Sequence, residues 1–232
     1  NASSPVPPVA VIAKSMPTCN PKKMKIFHNQ KPLCSLALFK LAVSRSVTYS
    51  IDDQLLNPTD GDFILKPDFN TLKVVPWYEE PTAQIICDAV DRNNNEIEVY
   101  SRGILKRVIG LYKDMGLEPI IAPEIEFYLV KKNNDPDYPL ETPAGQSGRI
   151  EKGNQSYGID AINEFDHIFE DLYDYCEAQE LEVENINHED GPAQMEINFK
   201  HGNPLDLADQ VFLFKRTLRQ TALKHNLYGT FM

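Results

Sequence analysis

"VENINHEDGPAQMEINF", residues 183–199, reads as two short strands joined through a Gly-Pro turn, with Glu189 and Glu196 set among apolar and amide side chains. Successive side chains of a strand point to opposite faces. Glu196 and Asn198 therefore share one face of "MEINF", and Met195, Ile197 and Phe199 share the other. The same alternation occurs upstream in "APEIEFYLV", residues 122–130, where Glu124 and Glu126 face one way and Ile125 and Phe127 the other.

Alternating glutamate on a strand is ordinarily the solvated face of an antiparallel sheet. Two such pairs, the second beside His188 and a tight turn, carry a stronger implication. Carboxylates on strands whose other face is buried are costly unless something cationic sits among them. Clustered oxygen donors without cysteine or several histidines favour a hard ion, Mg²⁺ or Mn²⁺. Glu124, Glu126, Glu189 and Glu196 are the expected ligands.

The rest of the chain bounds the possibilities. With 232 residues and 42% hydrophobic content it can bury a sizeable core, as one large domain or two small ones. A formal charge of −11 argues against a nucleic-acid or anionic-membrane surface. Cys19, Cys34, Cys87 and Cys176 are scattered without CxxC spacing, which disfavours zinc and disulfides and favours a reducing, cytoplasmic setting. No apolar run reaches the length of a membrane span. The stretch "LCSLALFKLAV", residues 33–43, is interrupted by Lys40 and followed by Arg45, which is not the pattern of a signal sequence.

Residues 1–45 are read as an unassigned, disordered leader, rich at first in Pro, Ser and Lys. Residues 46–100 alternate strands and turns ("VTYSI", "FIL", "TLKVVPW", "AQIICDAV") and form a small β-rich module. "DRNNNE", residues 91–96, has Glu96 where a calcium loop needs Gly and Arg102 where it needs Glu, so it is read as a hairpin turn. Ser101 is expected to cap a helix with the apolar stripe Ile104, Leu105, Val108 and Leu111, stopped by Gly116. A polar excursion over 132–157 reads as a flap, a helix follows over about 160–179, and a last helix runs from about Leu205 to His225. The order helix–strand–long loop–helix–strand–strand–helix predicts an α+β fold, an antiparallel sheet backed by helices.

"PEIEFYLV", "VENINHEDGPAQMEINF" and "ADQVFLFKRTLRQTALKH", with "GDFILKPDFNTLKVVPW" upstream, resemble glutamine synthetases and the γ-glutamyl-amine ligases related to them. The resemblance covers about residues 60–232. It implies a partial β-grasp-like N-terminal module over 46–100 and the first half of a catalytic domain over 101–232. It also implies an ATP-dependent ligase that joins glutamate to ammonia or an amine through γ-glutamyl phosphate, using Mg²⁺ or Mn²⁺, in a homo-oligomer. Carried over by motif, Glu126, Glu189 and Glu196 would hold one metal and Glu124 a second. Glu184 would lie near the nucleotide, and His188 and Gln194 would support the ligands.

The resemblance has departures. The chain stops at "YGTFM" where the family continues into further metal and substrate ligands. Arg216 and Arg219 fit a structural helix, and Asp52 and Asp53 are poor substitutes for the family's amine-site segment. Asp62 and Asp68 are read as turn and cap residues and Trp77 as a packing residue, with the family's amine site as the alternative place for Asp62. The alternative reading is a non-catalytic interaction protein that keeps the half-fold.

Overall fold

The computed structural model describes residues 9–14, 40–43, 64–135 and 137–231, the first two segments by backbone course alone. It divides the chain into two compact units, 1–117 and 118–232. No helix among the described residues is long and apolar enough to cross a membrane. The β-strand reading of "VTYSI" and the positions Cys19, Cys34, Asp52, Asp53 and Asp62 lie outside the described residues.

The first unit is an antiparallel sheet. Its strands are β1 (Val9–Lys14), β2 (Lys40–Val43), β3 (Ile64–Pro67), β4 (Lys73–Val74) and β5 (Thr82–Val90), ordered β2-β1-β5-β3, with β4 also pairing β5. β1 and β2 fall inside the segment expected to be a disordered leader. "VAVIAK" is a run of β-branched and small apolar residues, and β1 pairs with the apolar β5 along its whole length. "DRNNNE" is a hairpin turn, as read. The Asp91 carboxylate accepts the Asn93 and Asn95 N–H groups at 2.8 Å each, and the Asn95 side-chain amide at 2.9 Å. Its oxygens are committed to the turn.

α1 (Ser101–Asp114) closes this unit. Ser101 is its first helical residue; Tyr100 occupies the cap position and makes no side-chain cap bond there. Instead the Tyr100 hydroxyl donates to the Cys87 carbonyl at 2.5 Å. At the far end Gly116, at φ +72°, ends the helix in a Schellman turn: its N–H bonds Lys113 O and that of Leu117 bonds Tyr112 O. The expected apolar stripe does not form the buried face. Ile104, Val108 and Leu111 are exposed, while Arg102, Gly103 and Ile109 are buried. Ion pairs from Arg102 anchor the first turn. Its guanidinium meets Asp68 at 2.6 Å and Asp88 at 2.7 Å, and Lys106 meets Asp88 at 2.6 Å. Asp68 also caps the short 3₁₀ turn Phe69–Thr71, accepting the Asn70 N–H.

The second unit comprises β6 (Glu124–Lys131), α2 (Ile159–Asn163), α3 (Asp166–Ala178), β7 (Val183–His188), β8 (Gln194–Phe199), α4 (Pro204–Lys224) and β9 (Leu227–Thr230). Its sheet is fully antiparallel, in the order β7-β8-β6-β9. β9 adds a fourth strand that was not read from the sequence. Gly229 in β9 allows close approach to α4, since a Cβ there would lie 3.2 Å from Leu218. The helix expected over 160–179 is two helices. Phe165, 1% exposed, leaves helical geometry at φ −121° and fills the core between them.

The apolar face of β6 and β8 is closed by α4. Phe214 meets Phe127 and Phe199 edge-on, with ring centroids 6.3 and 5.4 Å away. α4 begins at Asn203, whose side chain accepts the Leu205 and Asp206 N–H groups, with Pro204 at the first helical position. Its buried face runs through Leu207, Phe214, Thr217, Leu218, Thr221 and Ala222. Thr217 and Thr221 tolerate burial because their hydroxyls donate to carbonyls one turn back. Cys87 and Cys176 are buried free thiols, and burial pushes the latter up to about 12.

Candidate functional site

The strand register determines which polar side chains meet on the face of the second sheet opposite α4. β6 and β8 align Glu124 with Asn198 and Glu126 with Glu196, and β7 brings Asn185 beside Asn198 and Asn187 beside Glu196. The Glu189 N–H continues the ladder by bonding the carbonyl of Gln194, which is paired with Tyr128. The result is three cross-strand rows: Asn185, Asn198, Glu124; Asn187, Glu196, Glu126; and Glu189, Gln194, Tyr128. Of the residues between them on β6 and β8, Phe127, Met195 and Ile197 are buried at 0–1% exposure and Ile125 is half-buried. The alternation read from the sequence is therefore present, and the four glutamates lie on one side of it.

Like charges placed directly opposite across a strand pair destabilise it. Glu126 faces Glu196, and Glu189 lies one row away. Burial pushes the Glu189 carboxyl above the usual carboxylate range, and the charges of Glu196, Glu126 and Asp190 push it further. The His188 charge offsets this only in part. Nearby hydrogen bonds orient the group. The Gln194 amide donates to Glu126 at 2.8 Å, while its oxygen accepts from the Tyr128 hydroxyl and the Gly191 N–H, both at 2.8 Å. Asn187 donates to Glu196 at 3.4 Å. Gly191 is required by space, because a Cβ there would lie 2.6 Å from both the Gln194 oxygen and the Tyr128 hydroxyl.

Among the described residues, no three carboxylate, imidazole or thiol groups converge closely enough to coordinate an ion as they stand. Glu126 is turned to Gln194 and Glu196 to Asn187. The donors suit a hard divalent ion: carboxylates, amides and a phenol, with no thiol. The elevated proton affinity of Glu189 indicates the sign of charge that this face lacks.

The other expected residues are dispersed around this grid. Glu184 sits where the β7–β8 register slips, between Val183 and Asn185, and it is exposed. Such bulges re-aim a side chain. His188 is opposite Met195 and 0% exposed, so its ring points to the core side and away from the carboxylates. Its Nδ1–H donates to the Glu189 carbonyl at 2.6 Å and its Nε2 lies 3.0 Å from Glu151. Tyr128, Asn185, Asn187 and Glu151 were not anticipated. Tyr128, Asn185 and Asn187 were legible from the same strand parity that exposed the glutamates. Glu151 lies in a segment without periodicity, and nothing in the sequence marks it. The segment expected as a flap is tied down at several points, including Tyr157 N–H to His188 O and Ser147 N–H to the Glu164 carboxylate, each at 2.9 Å.

Comparison with known proteins bears on the family and the fold. A family model for the glutamine synthetase catalytic domain matches residues 98–232. The glutamine synthetase of Methanocaldococcus jannaschii is 35% identical over 177 residues, 75% of this chain and 37% of its own length. A glutamate–isopropylamine ligase from a Pseudomonas species is 31% identical over 172 residues, 74% of this chain and 37% of that protein. The ligand-free structure of GmaS superimposes with a TM-score of 0.66 at 21% identity, over 84% of this chain and 47% of that one. The chain thus spans little more than a third of the length of the curated relatives it matches.

Proposed function

The chain belongs to the glutamine synthetase family, and we propose that it supplies the carboxylate half of an ATP-dependent ligase site that makes a γ-glutamyl amide from glutamate and ammonia or an amine. The observation that carries this reading is the register that sets Glu126 opposite Glu196, with Glu189 charge-coupled to both. A scaffold has no use for three mutually repelling carboxylates on one face. A divalent ion bound there would neutralise charge on transferring phosphoryl and developing carbonyl oxygens. Glu126, Glu189 and Glu196 would hold it, and Glu124, in the next row, would serve a second ion near the nucleotide. Glu184, aimed outward by the bulge, is the candidate nucleotide contact. Gln194 holds Glu126 in place through its side-chain amide. The names of relatives, which include a γ-glutamylputrescine synthetase from Escherichia coli, support an amine as one possible acceptor class. Homo-oligomeric assembly is proposed on the same basis.

Titration of the purified 232-residue chain with Mn²⁺ by calorimetry tests the ion site, with weak binding expected that is lost in E126Q and E189Q. ADP release in the presence of glutamate, ATP, Mg²⁺ and either ammonia or a polyamine tests turnover, with little or none expected from this chain alone. Absence of Mn²⁺ uptake refutes the metal assignment, and robust turnover refutes the view that the site is incomplete here.

A further inference from the structure

Glu151 and the ring of His188 lie outside the carboxylate face, yet both are buried against the turn that carries Glu189. Glu151 belongs to the long connection between β6 and α2; its side chain is 11% exposed, and that of His188 is 0% exposed. Glu151 Oε2 accepts the Ala193 N–H at 2.6 Å and lies 3.0 Å from His188 Nε2. The other ring nitrogen donates to the Glu189 carbonyl, an atom that can only accept. Glu151 Oε1 is buried and has no hydrogen-bond partner among the described residues. A buried carboxylate satisfied on one oxygen alone is a poor source of stability compared with an apolar residue of its shape.

The segment it grips is under constraint. Ala193 adopts φ +53°, a left-handed conformation that a residue other than glycine keeps only when its surroundings over-determine it. Two more ties reach the same turn from the same connection: the Tyr157 N–H to the His188 carbonyl, and the Ser156 hydroxyl to the Asp190 carboxylate. All of them converge on residues 188–193. That segment bears Glu189, which stands against the like charges of Glu196 and Glu126.

We infer that Glu151 is a positioning residue for Glu189. Through His188 and the Ala193 amide it fixes the turn that keeps Glu189 beside Glu126 and Glu196, and so sets how tightly that face holds a divalent cation. This rests on the ion-site reading above and deepens it. Linkage makes the effect reciprocal: an ion on Glu189 must in turn hold residues 149–157.

The test compares Mn²⁺ affinity by calorimetry in the wild-type chain, E151Q and E141Q. Glu141 is a control, because its exposed ion pair with Lys131 secures the same connection without touching the turn. E151Q is expected to weaken Mn²⁺ binding roughly 10-fold, the usual scale for losing a group that orients a metal ligand, and E141Q to leave it unchanged. Hydrogen exchange supplies a second measurement that needs no Glu151 variant. Mn²⁺ should slow exchange across residues 149–157 in the wild type and not in E189Q. Equal Mn²⁺ affinity in E151Q and wild type overturns the inference, as does an exchange rate in that segment indifferent to Mn²⁺. A wild-type chain that takes up no Mn²⁺ overturns the ion site itself, and the inference with it.

Discussion

In the first unit, a buried guanidinium faces two carboxylates: Arg102 meets Asp68 and Asp88, and Lys106 completes the group with a second positive charge. In the second unit, Glu126, Glu189 and Glu196 gather on one sheet face, and among the described residues no lysine or arginine is paired with any of them. The two clusters use similar residue types for different ends. The first is balanced, two charges against two, and it joins α1 to β5 and to the 3₁₀ turn. The second carries like charge held in place by amides and a phenol, which orient carboxylates without neutralising them. Balanced charge belongs to the architecture, whereas the unbalanced, side-chain-oriented set is the one for which a cation is proposed.

The largest effect should come from breaking the balanced cluster. In R102M, Asp68 and Asp88 lose the group that compensates their partial burial, and removing one member of such a network costs about 3–5 kcal/mol. Trp77, the only tryptophan, lies in the first unit, so its fluorescence during urea unfolding reports this loss directly. A loss below about 1 kcal/mol would mean that the pair is screened by solvent and that the contrast between the units is overstated.

A smaller effect is expected where the unbalanced cluster is braced. G191A would place a methyl group 2.6 Å from the Gln194 oxygen and the Tyr128 hydroxyl. Overpacking of this kind costs about 1–3 kcal/mol, and it would drive Gln194 off Glu126. Hydrogen exchange at the buried amides of β6 and β8 should register the cost. Mn²⁺ affinity should fall with it, because the donor that orients Glu126 is displaced. A G191A chain with unchanged Mn²⁺ affinity would show that the Tyr128–Gln194–Glu126 chain has no bearing on the ion.

The contrast was only partly legible in the sequence. Period-two alternation in "PEIEFYLV" and "MEINF" was enough to put Glu124, Glu126 and Glu196 on a face opposite the core, because side-chain direction in a strand is a local property. Which glutamate opposes which is not local: it depends on register, and the pairing of Glu126 with Glu196 spans the whole of α2, α3 and β7. Parity also failed locally at Glu184, where a bulge adds a residue. The Arg102 cluster was missed for a related reason. The helix was read by its apolar stripe, and its actual anchor was a charged residue in the first turn, paired with residues 14 and 34 positions away. Glu151 was invisible because aperiodic loops carry no record of what they touch.

The smallest predicted effect uses pH to set the two clusters against each other. Burial pushes the Asp68 carboxyl up, but hydrogen bonds from Arg102 and the Asn70 N–H, with the charges of Arg102 and Lys106, more than offset this and leave it below its ordinary 3.8. Folded protein then binds fewer protons than unfolded protein at this site. The first unit keeps the benefit above pH 3.8 and loses it as pH falls through the lower folded value. Glu189 has the opposite sign. Its carboxyl is raised above the ordinary 4.5, so the folded form binds more protons in the window from 4.5 upward to its folded value. The Glu189 contribution to the stability of the second unit therefore declines as pH rises through that window, by a few tenths of a kcal/mol, the scale of a like-charge cross-strand pair, whereas Glu164 and Asp171, both held below their ordinary values, contribute with the opposite sign. Hydrogen exchange of β6 and β8 at stepped pH without metal should show this decline as a difference between wild type and E189Q. Saturating Mn²⁺ should reverse its sign, because the ion holds the carboxylate ionised in the folded state alone. Identical pH profiles for metal-free wild type and E189Q across the same window would mean that the three glutamates are independently solvated, and the difference between the two clusters would vanish.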